Sequence, residues 1–363
     1  MSKDRARSKL IRRVSLAALV AFLAAGLWIG CSLARVADMP GESYGQSLEP
    51  WSADDHALGT TLEASVRSLT ALGPRSTLDE DARAAAGAWI LQQLQVLGLV
   101  VVAETFVPAI PDEQGLGHAL LESPGSEPVF TNYIVPLGGP ADAPLLVLSA
   151  HYDTVPGSVG ADDDASGVAA LLELAARLAS DPIPASKQRY RLELCFFDGE
   201  EAGYERMGSG HHARKLASEG KQVAGAISLE MLGYFTEAPG TQDSPSALLG
   251  PFYPSAGNFI AFVGSEASGD FIRESIGAFR TGARFPSEGL VAPDSILDVR
   301  RSDHVHFVDQ GWPGFMVTDT ANFRNPHYHR ATDTPDQLDY LALGRVTRGI
   351  EGMIRVLATK TTP

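Results

Sequence analysis

The chain has 363 residues, 44% of them hydrophobic and 20% charged, and this balance excludes a disordered chain, a collagen-like chain and a polytopic membrane protein. Acidic residues outnumber basic ones by 44 to 29, giving a net charge of −15, so a nucleic acid is not expected as a partner because its phosphates would be repelled. The two cysteines exclude a disulfide framework and a zinc site made of thiolates.

The N-terminus carries a predicted targeting segment, residues 1–35. A strongly basic stretch precedes an uncharged run over 14–34, which is long enough to span a membrane because a span needs about 20 apolar residues. The segment fits an uncleaved signal anchor, a cleaved secretory signal, or a lipoprotein signal in which Cys31 of LWIGC is lipidated. All three interpretations stay open. Each predicts an extracytoplasmic protein, either periplasmic or on the cell surface, or a secreted one, with membrane contact through this segment only.

The polar residues 36–56 predict a linker, and the folded domain is expected over 57–363. A first helix is indicated by the spacing of Leu62, Val66 and Leu69, and a second by an apparent capping box over 77–80 that leads into a helix ending at Gly98. Further along the chain, apolar runs predict strands at 99–107, 145–150, 191–198, 226–232, 259–264 and 315–318, and helices at 168–178, near 271–279 and from about 341.

Alternation of strands and helices predicts an α/β fold with a mostly parallel sheet. The strands read as continuous apolar runs, as expected where both faces of a sheet are covered. Residues 236–257 and 281–300 are rich in Pro, Gly and Ser and are predicted to be long loops that shape a pocket.

Chemically active residue types follow the predicted strands at the edge of the sheet where ligands bind in such folds. Two histidines and three carboxylates suffice for two metal ions bridged by one carboxylate, and imidazole with carboxylate suits zinc. The pair Glu200-Glu201 offers both a ligand and a free general base. Asp153, two residues after His151, is placed to orient that imidazole. Glu230 lies in an apolar strand, where a carboxylate is costly unless it is paired or bound to metal.

These motifs resemble those of the M28 family of zinc aminopeptidases, which also includes the animal and bacterial glutaminyl cyclases. The matching segments keep their order and spacing over roughly residues 57–357: SAHYDTVPG (149–157), GADDDASGVAALLELA (160–175), FFDGEEAG (196–203), ISLEMLGYF (227–235), SDHVHF (302–307) and TDTANFRNPHYHRATDTPDQLD (318–339). The resemblance implies a single α/β domain with a mixed, mostly parallel central sheet flanked by helices on both faces.

The resemblance also implies site residues, residue by residue. It implies two zinc ions with five ligands: His151 and Glu230 on one ion, Glu201 and His329 on the other, and Asp163 bridging both. It further implies that Glu200 is the general base and proton shuttle and that Asp153 supports His151. Glu230 stands where many members have Asp, a mild departure because both occur in the family.

The leading hypothesis is an aminopeptidase that hydrolyses peptides with a free N-terminus. The alternative is a glutaminyl-peptide cyclotransferase, which the same scaffold supports. It is disfavoured because the region of His151 and the GADDDASG loop is of the peptidase type, and because Tyr328 replaces the Trp of the animal cyclases. A non-catalytic binding domain is a third hypothesis, although this chain keeps every ligand type. The sequence contains no H-E-x-x-H helix, and its G-x-S-x-G match, GESYG (41–45), lies in the predicted linker rather than between a strand and a helix.

Other polar residues receive weaker expectations. Substrate contact and structural support are equally expected of Asp303 and His304, and structural support is favoured for Arg324 and His327. A last group is expected outside the site: His211 and His212 solvated on a helix, and Cys195 as a buried apolar residue.

Overall fold

A computed structural model describes residues 36–107, 129–203 and 207–359. In those residues eight strands form one sheet: β1 (Val102–Phe106), β2 (Phe130–Pro136), β3 (Leu145–His151), β4 (Arg191–Phe197), β5 (Val223–Glu230), β6 (Ile260–Ser265), β7 (Ser287–Ala292) and β8 (Gly314–Thr318). Their order across the sheet is β1-β2-β4-β3-β5-β8-β6-β7. Four neighbouring pairs are parallel and three are antiparallel, which confirms the mixed, mostly parallel sheet.

Helices cover both faces of this sheet, as expected for an α/β fold. The described helices longer than one turn are α1 (Ala53–Thr70), α2 (Glu80–Val96), α3 (Ala165–Ser180), α4 (Gly208–Ser218), α5 (Gly269–Gly282), α6 (His304–Asp309) and α7 (Tyr340–Thr359). Helices α1, α2, α3, α5 and α7 pack together on one face, and α4 and α6 pack on the other.

The central strands are apolar because they are covered from both sides. All seven residues of β3 are buried, and so are six of the seven in β4. Such strands bring their last residues to the same edge of the sheet, where the loops that follow can hold polar groups close to one another.

Helix α2 begins differently from the sequence prediction. The capping box expected over 77–80 is wrong: the residue before the helix is Asp79, and its side chain makes no capping hydrogen bond. The Asp79 carboxylate instead accepts a hydrogen bond from the Ser76 hydroxyl at 2.6 Å. The predicted end at Gly98 is confirmed, since Gly98 has φ +72° and Leu99 N–H donates to the Leu94 carbonyl, closing the helix in a Schellman motif.

The segment 281–300, predicted to be a loop, contains strand β7. Only three consecutive apolar residues follow Glu288 and Gly289, so neither alternation nor a long apolar run marks the strand in the sequence. The strand forms because it pairs in parallel with β6 at the edge of the sheet. The segment 236–257, by contrast, is largely irregular, as predicted.

Part of the segment predicted as a linker lies against the domain. The Arg280 guanidinium on α5 donates to the Pro40 and Gly41 carbonyls, and the Ser43 hydroxyl accepts from the backbone N–H of Ser287 on β7. The predicted targeting segment, with Cys31, lies outside the described residues. Along residues 36–107, 129–203 and 207–359, none of the helices combines the length and the apolar character that crossing a bilayer demands.

The expectation that His212 is solvated is wrong. The imidazole is 2% exposed, and its Nδ1 and Nε2 lie 2.9 Å from Glu104 and 3.0 Å from Glu193. Burial opposes the charged form, but the two carboxylates outweigh it and raise the pKa of His212 to about 9. The neighbouring His211 is half-buried and stacks on Phe106. Helix α4 therefore turns one histidine inward, toward acids of β1 and β4 that its own sequence does not reveal.

We expect a pH-dependent loss of stability when His212 is replaced by glutamine. The folded-state pKa of about 9 lies above the ordinary 6.5, so the protonated imidazole stabilises the fold fully below pH 6.5. That contribution, about 3 kcal/mol, is lost as the pH rises through 9. Urea unfolding of both proteins should show the largest difference near pH 6 and little difference near pH 10. A matched change at the exposed His56 should show no such profile, and a His212 deficit that is constant with pH would contradict the assignment.

Candidate metal centre

Four chain segments bring polar side chains to one edge of the sheet. His151 ends β3 and Glu230 ends β5, while Glu201 follows β4 by four residues. The loop after β3 supplies Asp163, and the loop after β8 supplies His329. The structure therefore brings together all five predicted ligands, and Asp153 and Glu200 lie among them.

The five side chains form two triads that share one carboxylate. In the first, Nε2 of His151 lies 3.3 Å from Oδ1 of Asp163 and 3.6 Å from Oε1 of Glu230. In the second, Nε2 of His329 lies 3.2 Å from Oδ2 of Asp163 and 3.0 Å from Oε1 of Glu201. The two oxygens of Asp163 thus face opposite triads, as the bridging position of a two-ion site requires.

These separations fit a pair of zinc ions. Ligand atoms about 2.0–2.1 Å from a tetrahedral zinc lie roughly 3.3 Å from one another, which matches the distances within each triad. Nε2 of His151 and both carboxylate oxygens of Asp163 are buried and have no hydrogen-bond partner. Buried polar atoms are rarely left without a partner, and a bound cation would satisfy them. The donor set of imidazole and carboxylate also suits zinc.

Several acidic side chains are crowded together in the buried site, and burial and mutual repulsion disfavour their charged forms. Burial raises the pKa of Glu201 to about 7, with the Asp163 carboxylate adding to the shift. Burial lowers the affinity of His329 for a proton, but Asp163 and Glu201 outweigh it and raise the pKa of His329 to about 10. A positive partner would therefore stabilise the ionised carboxylates, and two divalent ions would provide that charge.

The three consecutive aspartates, Asp162, Asp163 and Asp164, make different contacts in the site. Asp164 accepts hydrogen bonds from the backbone N–H groups of His151 and Met231, and from Gly167 in the first turn of α3. Asp162 accepts from the backbone N–H of Gly233 at 2.9 Å. Both outer carboxylates are thus used in holding loops together, and the middle one alone is left to face the two triads.

A fourth aspartate, which the sequence analysis did not single out, fixes this loop. Asp333 accepts hydrogen bonds from the backbone N–H groups of Asp162 and Asp163 at 2.9 and 3.2 Å. Arg75, wholly buried, donates to the carbonyls of Tyr152 and Val159 on the other side of the loop. Arg75 lies outside the matching segments, and Asp333, although it belongs to the segment 318–339, has no feature there that marks it as a support of the loop.

Asp153 connects the first histidine to the glutamate pair. One of its oxygens lies 3.5 Å from Nδ1 of His151. The same carboxylate accepts hydrogen bonds from the backbone N–H groups of Glu200 and Glu201 at 3.0 and 2.9 Å. Asp153 therefore sets both the orientation of the imidazole and the position of the turn that carries the two glutamates.

Glu200 belongs to neither triad, although it is close to both. Burial raises the pKa of Glu200 well above its usual range; the carboxylates of Glu201 and Glu230 add to this shift, and His151 opposes it. A carboxyl group of high proton affinity that is not needed as a ligand is suited to accept and return a proton.

Several residues near the site adopt positive φ although they are not glycine: Met231, Thr320, Ala321 and His329. Such backbone costs about 1–3 kcal/mol per residue and persists where the surroundings impose it, most often at functional sites. The His329 ring stacks on Tyr328, with ring centres 3.7 Å apart. Glu230 accepts a hydrogen bond from the Ser302 hydroxyl at 2.8 Å, which orients its second oxygen.

Of the residues with weaker expectations, Asp303, His304, Arg324 and Cys195 are buried, and His327 is half-buried. Asp303 is wholly buried close to His151 and Glu230, and burial raises its pKa to about 7. His304 is buried and structural: its ring contacts the Val299 carbonyl at 3.0 Å, and burial lowers its pKa to about 4. Arg324 is also buried, stacked on Phe259. His327 contacts the Thr332 hydroxyl, and Cys195 is fully buried as expected.

A pocket opens directly beside the first triad. Its floor is the face of β6, β7 and β8, and its walls come from residues 242–245, 253–254, 298, 301, 320–323 and 328. Glu230 and Tyr328 stand at the junction between this pocket and the triads. A molecule held in the pocket can therefore present one end to the five-ligand site.

Comparison with known proteins agrees with this geometry. The model of a family described as Peptidase family M28 matches residues 132–354, more than half of the chain. This range contains all seven predicted site residues.

Among curated proteins, the chain is 36% identical over 223 residues to "Uncharacterized protein YfbL" of Escherichia coli, covering 58% of this chain and 67% of that one. It is 33% identical over 221 residues to the "Probable lipoprotein aminopeptidase LpqL" of Mycobacterium tuberculosis, covering 56% and 41%. A shorter match, 40% over 116 residues, is to a Drosophila melanogaster "Glutaminyl-peptide cyclotransferase", covering 29% and 32%. The chain thus spans less than half of the length of the last two relatives.

Among solved structures, the fold is similar to that of BSAP, described as a zinc aminopeptidase from Bacillus subtilis. The TM-score is 0.64 at 17% identity, with 84% of this chain and 95% of that one covered. At this identity the similarity is one of fold.

Proposed function

This chain belongs to peptidase family M28, and we propose that it is a metal-dependent aminopeptidase acting on peptides with a free N-terminus. The observation that carries the proposal is the pair of triads sharing Asp163, with Glu200 beside them and used by neither. Family membership supports a hydrolase, and the similarity to a probable lipoprotein aminopeptidase supports the exopeptidase class.

The seven site residues are proposed to act as follows. His151 and Glu230 would hold one zinc ion, Glu201 and His329 the other, and Asp163 both. Two such ions, when bound, polarise a carbonyl and make water more acidic. Glu200 accepts the proton of the attacking water and returns it to the leaving amine, because its carboxyl group is not a ligand in either triad.

Asp153 acts indirectly in this proposal. Its hydrogen bonds to the backbone of Glu200 and Glu201 keep the base and one ligand in fixed positions while its other contact keeps the His151 ring oriented. These hydrogen bonds fix the glutamate turn before substrate binds, as preorganisation of a catalytic group requires.

Removal of metal is expected to abolish peptide hydrolysis. Dialysis against a chelator should reduce activity to background, and zinc should restore it with two ions per chain by elemental analysis. Ions that bind the folded state only also stabilise it, so the melting temperature should rise on reloading. Full activity in protein shown to be free of metal would contradict the proposal.

Glutaminyl cyclisation is the second candidate, because part of the chain is similar to a glutaminyl-peptide cyclotransferase. That reaction expels ammonia from an N-terminal glutamine and consumes no water. Two complete triads favour hydrolysis, since they could hold two ions that would polarise a carbonyl and acidify water, and Glu200 is left as a free base.

We also propose that residues 57–363 form the catalytic domain and that residues 1–35 place it outside the cytoplasm. The basic N-terminus followed by an uncharged run supports this, as does the similarity to a relative described as a lipoprotein. Cys31 would be the lipidated residue if the segment is a lipoprotein signal. Fractionation of cells, with and without Cys31→Ser, distinguishes a lipid anchor from a signal anchor and from secretion.

A further inference from the structure

The pocket beside the first triad has an acidic group set into a mostly apolar floor. The floor presents Ala261 and Val263 of β6, Leu290 of β7 and Met316 of β8, each less than 10% exposed. Glu288 of β7 lies on the same face and lines the pocket as well. An acid in such surroundings is costly unless something pairs with it.

Strand pairing fixes the distance between this acid and the metal site. Glu230 pairs with Thr318, Thr318 with Ala261, and Ala261 with Glu288, so these four residues form one row across β5, β8, β6 and β7. Paired residues on adjacent strands point to the same face, and strands lie about 4.8 Å apart. The backbone of Glu288 is therefore about 14 Å from that of Glu230, at the far end of the pocket.

Glu288 has no ion-pair partner among the described residues. The nearest cation, Arg280, directs its guanidinium to Ser287 and to the carbonyls of residues 39–41. Burial raises the pKa of Glu288, and Arg280 and a hydrogen bond from Ser43 offset part of this shift. The carboxylate is thus left without a countercharge of its own.

Cations at the rim do not neutralise this acid. Arg301 is the cation of the pocket wall, and it is held by Asp298 at 3.1 Å and by the Tyr328 hydroxyl at 2.7 Å. Its charge is therefore already balanced at the mouth, close to the triads rather than at the far end of the floor.

We propose that Glu288 is a specificity-determining residue that selects peptides beginning with lysine or arginine; this inference rests on the proposed aminopeptidase function. With the reacting carbonyl beside Glu230, the first side chain of the substrate extends along the row. Five bonds of about 1.5 Å place a lysine ammonium about 6 Å from its Cα, so a long basic side chain extends toward Glu288 across much of the floor. The apolar floor covers the aliphatic stem.

Shorter apolar side chains fill the floor but leave Glu288 desolvated and without an ion-pair partner. The difference between a buried carboxylate with and without an ion-pair partner is the source of the selectivity, since a site built for a polar group rejects analogues that lack it. Acidic side chains are repelled outright. The substrate class is therefore basic N-termini on peptides.

The test uses the full chain, purified in detergent and loaded with zinc, with peptides that differ only in the first residue: Lys, Arg, Met, Leu or Glu. We expect kcat/KM to be at least tenfold higher for Lys and Arg than for Met and Leu. Glu288→Gln should lower kcat/KM for Lys and Arg by about ten- to hundredfold, as for loss of a charge-assisted hydrogen bond, and change Leu little. Glu288→Leu should move the preference to Met and Leu.

The matched control is Asp294→Asn, which removes a negative charge from an exposed residue outside the pocket. It should leave the ratio of Lys to Leu unchanged. Binding supplies a readout that does not depend on turnover: in the Glu200→Gln background, lysine amide should bind more tightly than norleucine amide, and Glu288→Gln should remove the difference.

The outcomes separate this inference from the proposed function. Hydrolysis with a preference for Met or Leu, or an equal effect of Glu288→Gln on every peptide, overturns the role of Glu288 and leaves an aminopeptidase. No hydrolysis of any peptide refutes the proposed function; selective binding of lysine amide would then still support the pocket, and equal binding of both amides would overturn it.

Discussion

Replacing Glu200 by glutamine is expected to lower kcat by about 10²–10⁴-fold, the usual contribution of a general acid–base residue. The amide keeps the size of the side chain but cannot take a proton from water. Because Glu200 belongs to neither triad, the variant should bind the same number of zinc ions as the wild type. The substrate KM should change far less than kcat, because the lost interaction acts on the reaction rather than on binding.

A control variant and the metal content make this result interpretable. Glu219→Gln changes an exposed glutamate at the end of α4 and should leave kcat unchanged. Elemental analysis must show equal zinc in the wild type and both variants. Wild-type turnover in a fully loaded Glu200→Gln protein would remove Glu200 from the mechanism.

Replacing Asp163 by alanine is expected to remove metal from both positions and activity with it. Each of its oxygens faces one triad, at 3.3 Å from His151 and 3.2 Å from His329, so both ions lose a ligand at once. Loss of a residue that only supports a metal ligand already weakens binding by about 10–100-fold, and loss of a shared ligand should exceed that for each ion.

The neighbouring Asp164 provides a sharp contrast. Asp164→Ala leaves three backbone N–H groups without their acceptor, those of His151, Gly167 and Met231, at a cost of about 1–3 kcal/mol for each group that stays buried. In protein treated with a chelator, urea unfolding should therefore show a larger loss of stability for Asp164→Ala than for Asp163→Ala. Equal zinc content in wild type and Asp163→Ala would contradict the bridging role.

The different contacts of Asp162, Asp163 and Asp164 could be predicted only in part from the sequence. Their position after a buried strand predicts that they lie at the ligand-binding edge, and the family resemblance points to the middle one. Why the outer two are unavailable is visible only in the structure, because their partners, Met231 and Gly233, come from a loop some 70 residues away. Residues that act through such distant backbone contacts leave no local pattern.

The same distinction holds for the fold. Strands β3 to β6 are predictable because burial on both faces makes most of their residues apolar. Strand β7 is not, because the polar Glu288 and the flexible Gly289 interrupt its pattern, and only pairing with β6 makes it a strand. The burial of His212 could not be predicted for a related reason. The residue lies on helix α4, but its acidic partners Glu104 and Glu193 lie on strands β1 and β4, far away in the sequence.

The most direct test of the account is to incubate the zinc-loaded protein with a mixture of peptides and follow the products by mass spectrometry. The mixture includes peptides with free N-termini, one of which begins with glutamine, and N-acetylated copies of each. The account predicts stepwise loss of N-terminal residues from the free peptides and no change in the acetylated ones. Loss of ammonia from the glutamine peptide alone, with all other peptides intact, would contradict it and identify a cyclase.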